Sequence, residues 1–527
     1  MGIFSRIYKI LKRCIRMAKD IISFDVGTNF DYKLFDIIRE QDKNHNIRSL
    51  FGKLKHDGMP GGRNSSVIPE FSMDQFADYL KECQKNDLTF NYLINPLSLD
   101  DHDTDPFVGK QIHDFIHTLY DMGVRAVTLN SPILIQYVKR NFPDMFVTLG
   151  LYAYPTNLKH IEYWRNWGVD EITLDHSFNR NFEMLRKVLT LYKDTDLHLR
   201  VIANNLCLKE CPFRLGHGSF SGHTDPNRTS MDYYLINCAY KKISNPTALM
   251  TSEWIRPEDI HYYRELAEET GNKNFSIKLV DRTRTTEFLE NVITAYMTEK
   301  YDGNLLDILN WIDSKKLSTV AKGQESLDKM AANMPQMANG APTMSMPPQG
   351  MPQMPNGMPP MGGMPAGVPP MMPPQGMPQM PNGMPPMGGM QAGAPPMMPP
   401  QGMPQTPNGM PPMGGMPKLP NGMPPLRFME VLKPEAMMNY GRTMNWPNIY
   451  LDNNKLDGFL EHFMQSDCSC KVCADSILPT GEQASNACAH CSVWAKKAIT
   501  FDENEVNQWK QFAEATLKGL EDGTIYR

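Results

Sequence analysis

Cysteine is the residue type through which this 527-residue chain could do chemistry, and its ten copies are not scattered at random. Cys207, Cys211 and Cys238 form a C-x3-C-x26-C pattern in "CLKECPFRLGHGSFSGH…YLINCAY". Thiolates are soft donors suited to zinc and to Fe–S clusters. Three of them on a cluster would leave one iron open to a substrate, a small ligand or a fourth protein donor, for which His217 and His223 are the local candidates. Reduced, buried and inert cysteines are the alternative. Near the C-terminus, "CSCKVCADSILPTGEQASNACAHC" sets Cys470 and Cys473 as one C-x2-C pair and Cys488 and Cys491 as another, fourteen residues apart. That is close to the spacing of a zinc ribbon, in which each knuckle turns two thiolates onto one ion. Cys468 is a further thiol and His490 lies inside the second pair. The module therefore predicts zinc, a second Fe–S cluster, or a thiolate donated to the first site, with redox-active thiols as the remaining reading. Cys83, in the helical run "DQFADYLKECQK", is expected simply to pack.

The first three cysteines need a scaffold. Short β-rich runs recur at "RSLFGKL", "LTFNYLINP", "AVTLNSP", "FVTLGLYAY", "EITLDHS", "LHLRVIANN", "TALMTSEWI" and "FSIKLVD". Amphipathic helical stretches lie between most of them. Continuous apolar strands alternating with helices indicate a parallel sheet covered on both faces. About eight such units over residues 24–322 predict an α/β fold, a TIM-type (β/α)8 barrel, whose active site lies at the C-terminal ends of the strands.

Polar side chains gather at those ends. Asp175, His176 and Glu253 are candidate proton carriers, with salt bridging as the competing role. Arg63, Asn95, Asn130, Asn205, Arg256, Lys278 and Arg282 are candidate substrate-binding groups. Arg63 belongs to the Gly-rich "KHDGMPGGRNSS", which could cradle an anion or be a plain turn. Cys207 and Cys211 follow the strand expected at "LHLRVIA", on the catalytic rim.

The rest of the chain is organised around this barrel. Residues 1–23 predict a basic amphipathic helix that can lie on an anionic membrane, dock on a partner or pack on the barrel. Arg6 stands where a myristoylation signal wants Ser or Thr. Most of the 43 Pro and 39 Met fall in residues 323–426, a low-complexity linker whose 26-residue unit begins at Gln349, Gln375 and Gln401. Such a composition cannot build a packed core and predicts a disordered tether. Residues 427–527 are expected as a small Cys-rich metal-binding domain, low in apolar residues and dependent on metal to fold. A net charge of -5 gives no global nucleic-acid or membrane signature. With no secretory signal and no apolar run long enough to span a bilayer, the expectation is a cytoplasmic protein with reduced thiols. A protein partner could bind through the linker or the C-terminal module.

Residues 45–310 resemble the U32 peptidase family, the collagenase-like proteins. The blocks that carry the likeness are "FGKL…GGR", "FNYLINP", "GVRAVTLNSPILIQYVKRNFP", "EITLDHSFNRN", "CLKECPFR", "SEWIRPEDI" and "YDGNLLDIL". The resemblance implies a TIM-type barrel holding a 4Fe–4S cluster, with Cys207, Cys211 and Cys238 as ligands. It also implies oxygen-independent, hydroxylation-type modification of an RNA base, a quinone precursor or another biosynthetic substrate, in some relatives with prephenate as the oxygen source. This chain departs from the family pattern in "HGSFSGH", which keeps His-Gly and Ser-Gly without the family's flanking cysteines and leaves three barrel thiols where four are expected. An electron-transfer or scaffold protein with a tethered Cys module is a second reading, and a peptidase a third. The sequence contains no HExxH or GxSxG motif for the last.

Overall fold

The computed structural model describes residues 21–222, 230–311, 431–465 and 488–527. Residues 1–20, 323–426, His223, Cys468, Cys470 and Cys473, on which several expectations rest, lie outside them.

Eight parallel strands close into a barrel in chain order: β1 (Ile22–Gly27), β2 (Ile47–Gly52), β3 (Thr89–Ile94), β4 (Ala126–Leu129), β5 (Phe146–Leu149), β6 (Glu171–Thr173), β7 (His198–Ile202) and β8 (Phe275–Leu279). The ring shuts where Phe24 pairs with Ile277 and Val26 with Leu279. Helices between the strands cover the outside, and their starts are written in the sequence. Ser72 and Gln75 form a capping box at Met73–Lys85. Asp105 and Ser131 cap helices that open on Pro106 and Pro132, where the missing proline N–H costs nothing.

The barrel matches the expected fold, but one expected strand is not among the observed eight and one observed strand was not expected. β1 was not anticipated, because a charged residue, Asp25, interrupts "ISFDVG". The run "TALMTSEWI" is instead a short helix, Thr247–Thr251, followed by extended chain. A short apolar run cannot by itself distinguish a buried strand from a buried helix. The cysteine loop therefore follows the seventh strand, and the loop bearing Arg63 follows the second.

Asp25 is tolerated because the barrel interior is ionic at this level. Arg48 from β2 grips both Asp25 oxygens, at 3.0 and 2.9 Å, and also pairs with Glu171 of β6. Arg200 from β7 reaches Asp25 at 3.1 Å and Glu171 at 2.9 Å. Arg48–Glu171 and Arg200–Asp25 join strands that are not neighbours, so these two pairs cross the barrel. Burial alone would raise the Asp25 carboxyl, but Arg48 and Arg200 hold it well below the usual carboxylate range.

The C-terminal residues pack on this barrel within one compact unit. Trp254 and Phe459 stack at 5.5 Å, with the Arg180 guanidinium 4.4 Å from the first ring and 4.9 Å from the second. Asn304 receives the Leu451 N–H at 2.9 Å and donates to the Ile449 carbonyl at 3.1 Å. Those residues belong to β9 (Ile449–Leu451), paired antiparallel with β10 (Ile499–Phe501). The few apolar residues of this segment thus bury against the barrel: Leu451, Leu456, Phe459 and Trp509 share one hydrophobic core with it.

Candidate functional site

The loops at the C-terminal ends of the strands enclose a cavity of about 420 Å³. Three groups of side chains meet there, each set by a different element.

The first is sulfur. Cys207 and Cys211 come from the loop after β7, and Cys238 from the helix Tyr233–Ser244; all three face the cavity. Lys242, one turn beyond Cys238, donates to its Sγ at 3.2 Å and to the Leu206 carbonyl. Asn205 donates to Cys207 Sγ at 3.3 Å. Burial pushes the Cys207 thiol up, against the pull of Lys242, and does the same to Cys211. His217 also lines the cavity, and burial pulls it down to about 4, so its imidazole is neutral at physiological pH.

Among the described residues, no three His, Cys, Asp or Glu side chains close on a single metal ion. A multi-iron cluster makes a different demand, since each thiolate binds its own iron. The three thiols line one cavity together with the neutral His217 imidazole, and Lys242, Arg214 and Arg63 are among the charges acting on Cys207, so these residues are the ones that could hold such a cluster.

The second group is cationic. Arg63, Arg214, Lys242, Lys278, Arg282 and Arg284 line the cavity against two acids, Asp232 and Asp281. Arg63 is anchored to Asp281 at 2.9 Å. Lys278 lies 3.9 Å from the centre of the Phe51 ring, and burial, then Arg200 and Arg282, draw it well below the usual lysine value. Arg282 is 6 % exposed, and its Nε and Nη2 have no hydrogen-bond partner among the described residues. Burial, with Arg63 beside it, pulls Arg282 down to about 10 in spite of Asp281.

The third group is aromatic: Tyr152, Tyr154, Phe213, Tyr234 and Trp311, joined by Trp446 from the C-terminal segment. The Trp446 indole N–H is buried without a partner among the described residues. Trp446 sits against Trp311 at 5.3 Å and Trp509 at 5.7 Å.

Most of the polar residues expected at the site reach it. Arg63, Asn95, His176, Asn205, Lys278 and Arg282 line the cavity; Asp175, Asn130, Glu253 and Arg256 do not. Asp175 is engaged by Arg214 and by the Ser177 N–H. Asn130 donates to the carbonyls of Asn95 and Pro96, both at 2.9 Å, and so shapes a loop. Arg256, expected to bind substrate, is instead spent on Asp259 at 2.8 Å and Asp457 at 3.0 Å, where the C-terminal segment docks. Glu253 is pushed up to about 7 by burial, with Lys209 and Arg180 opposing. His176 accepts from Asn205 at 2.8 Å and is pulled down to about 4 by burial. Cys488 and Cys491 are also outside the cavity lining.

Lys242 and Trp446 went unanticipated. The first is legible in hindsight, because a residue four positions after a cysteine on a helix shares its face. Nothing in the sequence places Trp446, 135 positions after Trp311, beside it.

Residues 63–209 match the family model described as Peptidase family U32. The uncharacterized protease MJ1657 of Methanocaldococcus jannaschii is 26 % identical over 317 residues, covering 56 % of this chain and 90 % of that protein. Among solved structures, the U32 peptidase Mk0906 is similar at 14 % identity and a TM-score of 0.36, over 49 % of this chain and 93 % of that one. A chitinase from Rhizomucor miehei aligns at 9 % identity and a TM-score of 0.30, over 53 % of this chain and 100 % of its own.

Proposed function

We propose, from the premise that this barrel is of the U32 peptidase family over residues 63–209, that it is a modification enzyme. Its substrate would be a flat, anionic molecule held beside a sulfur-ligated iron centre. The observation that carries this reading is Arg282: a buried guanidinium whose Nε and Nη2 are unpartnered among the described residues, next to Lys278, in a cavity lined by rings and thiols. Buried guanidinium N–H groups left without acceptors are costly, and an anionic ligand removes that cost.

A 4Fe–4S cluster on Cys207, Cys211 and Cys238 would supply one-electron chemistry and an iron with an open position. The protein's own residues do the rest. Lys278 and Arg282 bind the anionic group. Tyr152, Tyr234 and Trp446 flank a planar ring and exclude water. Asn205 ties the Cys207 sulfur to the neutral His176, which could accept a proton. This suits hydroxylation-type, oxygen-independent modification of an RNA base, a quinone precursor or a similar biosynthetic substrate.

The test is anaerobic purification with iron and sulfide counts. About four of each per chain are expected, with visible absorbance near roughly 400 nm from thiolate-held iron. Both should be lost in Cys207→Ala and Cys238→Ala. Colourless, iron-free protein after anaerobic reconstitution would overturn the reading.

The name of the M. jannaschii relative, a protease, favours hydrolysis as the second reading. Against it, His176 accepts from an amide rather than from a thiol, and burial raises Cys207, so no base-activated nucleophile is assembled there. Casein and gelatin cleavage that survives Cys207→Ala in iron-free protein would establish that second reading instead.

A further inference from the structure

Buried indoles in this structure usually spend their N–H on the backbone. The Trp254 N–H donates to the Leu249 carbonyl and the Trp509 N–H to the Thr443 carbonyl, both at 2.8 Å. The Trp446 N–H is equally buried and meets no acceptor among the described residues. A buried donor with nothing to donate to is a cost that folded proteins rarely carry. Trp446 also lines the barrel cavity, so a bound molecule can supply the missing acceptor.

The indole is braced where it stands. Before it, the helix Pro434–Thr443 ends with Thr443 Oγ1 at 3.1 Å from Thr516 Oγ1 of the helix Glu503–Glu521. After it, the Asn448 N–H donates to Glu505 at 3.2 Å. The ring stacks on Trp509 at an interplanar angle of 30° and meets Trp311 edge-on at 74°. Turning the ring to find a backbone acceptor would break these contacts. Arg282 Nε and Nη2 are unpartnered donors in the same lining, but in other company. Asp281, Arg63 and Asp57 are among the charges acting on Arg282, whereas rings flank Trp446. Both residues offer a hydrogen, and neither offers a lone pair.

We infer that Trp446 determines specificity at this cavity, its indole N–H binding a hydrogen-bond acceptor on the ring of the ligand while Arg282 holds the anionic group. The inference rests on reading the cavity as a site for a flat anion, and narrows that ligand to one that also carries a carbonyl. Among aromatic neighbours an uncharged acceptor suits the indole better than a second charge, which would be costly to desolvate. A site with an N–H to satisfy rejects the analogue that lacks the acceptor more strongly than an apolar pocket rejects a change of shape. The C-terminal segment thereby supplies part of the recognition, and not only a wall.

The probes are 6-acetyl-2-naphthoate and 6-isopropenyl-2-naphthoate, which replaces the carbonyl oxygen by a methylene and keeps the outline. Each is titrated calorimetrically into the full chain. The unaltered protein should bind the acetyl compound about tenfold or more tightly than the isopropenyl one. Trp446→Phe, which keeps a ring and removes the N–H, should bring that ratio to about one, the loss falling on the acetyl compound. Trp446→His, a ring with an N–H, should restore part of the preference. A role in packing alone would weaken both compounds together and leave their ratio unchanged. An unchanged ratio in Trp446→Phe, or no preference in the unaltered protein, overturns the role of Trp446 and leaves the flat-anion reading standing, provided both compounds are lost in Arg282→Met. Failure of both compounds to bind the unaltered protein, or equal binding by Arg282→Met, overturns the flat-anion reading and this inference with it.

Discussion

Arg282 illustrates how a side chain can be poor for stability and good for binding. Its buried Nε and Nη2 go unpartnered among the described residues, and unmet buried donors of this kind cost about 1–3 kcal/mol each. Arg282→Met should therefore raise the stability of the ligand-free protein by about 1–2 kcal/mol in urea unfolding. The same change should abolish thermal protection by anions such as phosphate or citrate. A loss of stability would show that Arg282 is structural. Glu253 makes a pH-dependent prediction. Its carboxyl is pushed up to about 7 from an ordinary 4.5, so between those values the folded state holds a proton that the unfolded state has released. Stability must then fall as pH rises from about 4.5 to about 7. Glu253→Gln should flatten that part of the curve, measured as urea midpoints across the range. The sequence marked both residues, Arg282 as a candidate substrate-binding group and Glu253 as a candidate proton carrier; the first lines the cavity and the second does not. Position after a strand signals the rim of a barrel, but not which way a side chain on that rim turns.

At the scale of elements, the ionic cross-brace of Asp25, Arg48, Glu171 and Arg200 explains what could and could not be read. Seven of the eight strands announce themselves by apolar runs and helix caps. β1 does not, because its central Asp25 looks like a loop residue until its partners on β2 and β7 are known. Such long-range pairing leaves no local trace in a sequence. Breaking one partner of a buried ion network costs about 3–5 kcal/mol, so Glu171→Gln should destabilise the barrel by roughly that amount in equilibrium unfolding. Removing an exposed pair such as Lys81–Asp78 should leave the unfolding midpoint almost unchanged. The capping box at Ser72 offers a third measure: Ser72→Ala should cost about 1 kcal/mol. It was written in adjacent residues, and the helix it starts was correspondingly easy to see.

Across the whole molecule, the C-terminal residues are joined to the barrel by contact. Trp254 on Phe459, Asn304 on β9, Arg256 on Asp457 and Trp311 on Trp446 are contacts between residues separated in sequence by the stretch 312–430. Deleting residues 431–527 should uncover these apolar surfaces and open the cavity wall that Met444 and Trp446 supply. Lower solubility and binding of a hydrophobic dye by the truncated chain are the expected readouts. The sequence suggested a module with its own metal-dependent core. In the structure the apolar residues of that segment, Leu451, Leu456, Phe459 and Trp509 among them, share the barrel's own core.

That contact surface makes the peptide between its two halves dispensable once they have met. A protease site inserted within residues 323–426 and cut after folding should yield two polypeptides that elute together and melt in a single transition. The same two pieces, encoded by separate messages, should find one another in the cell.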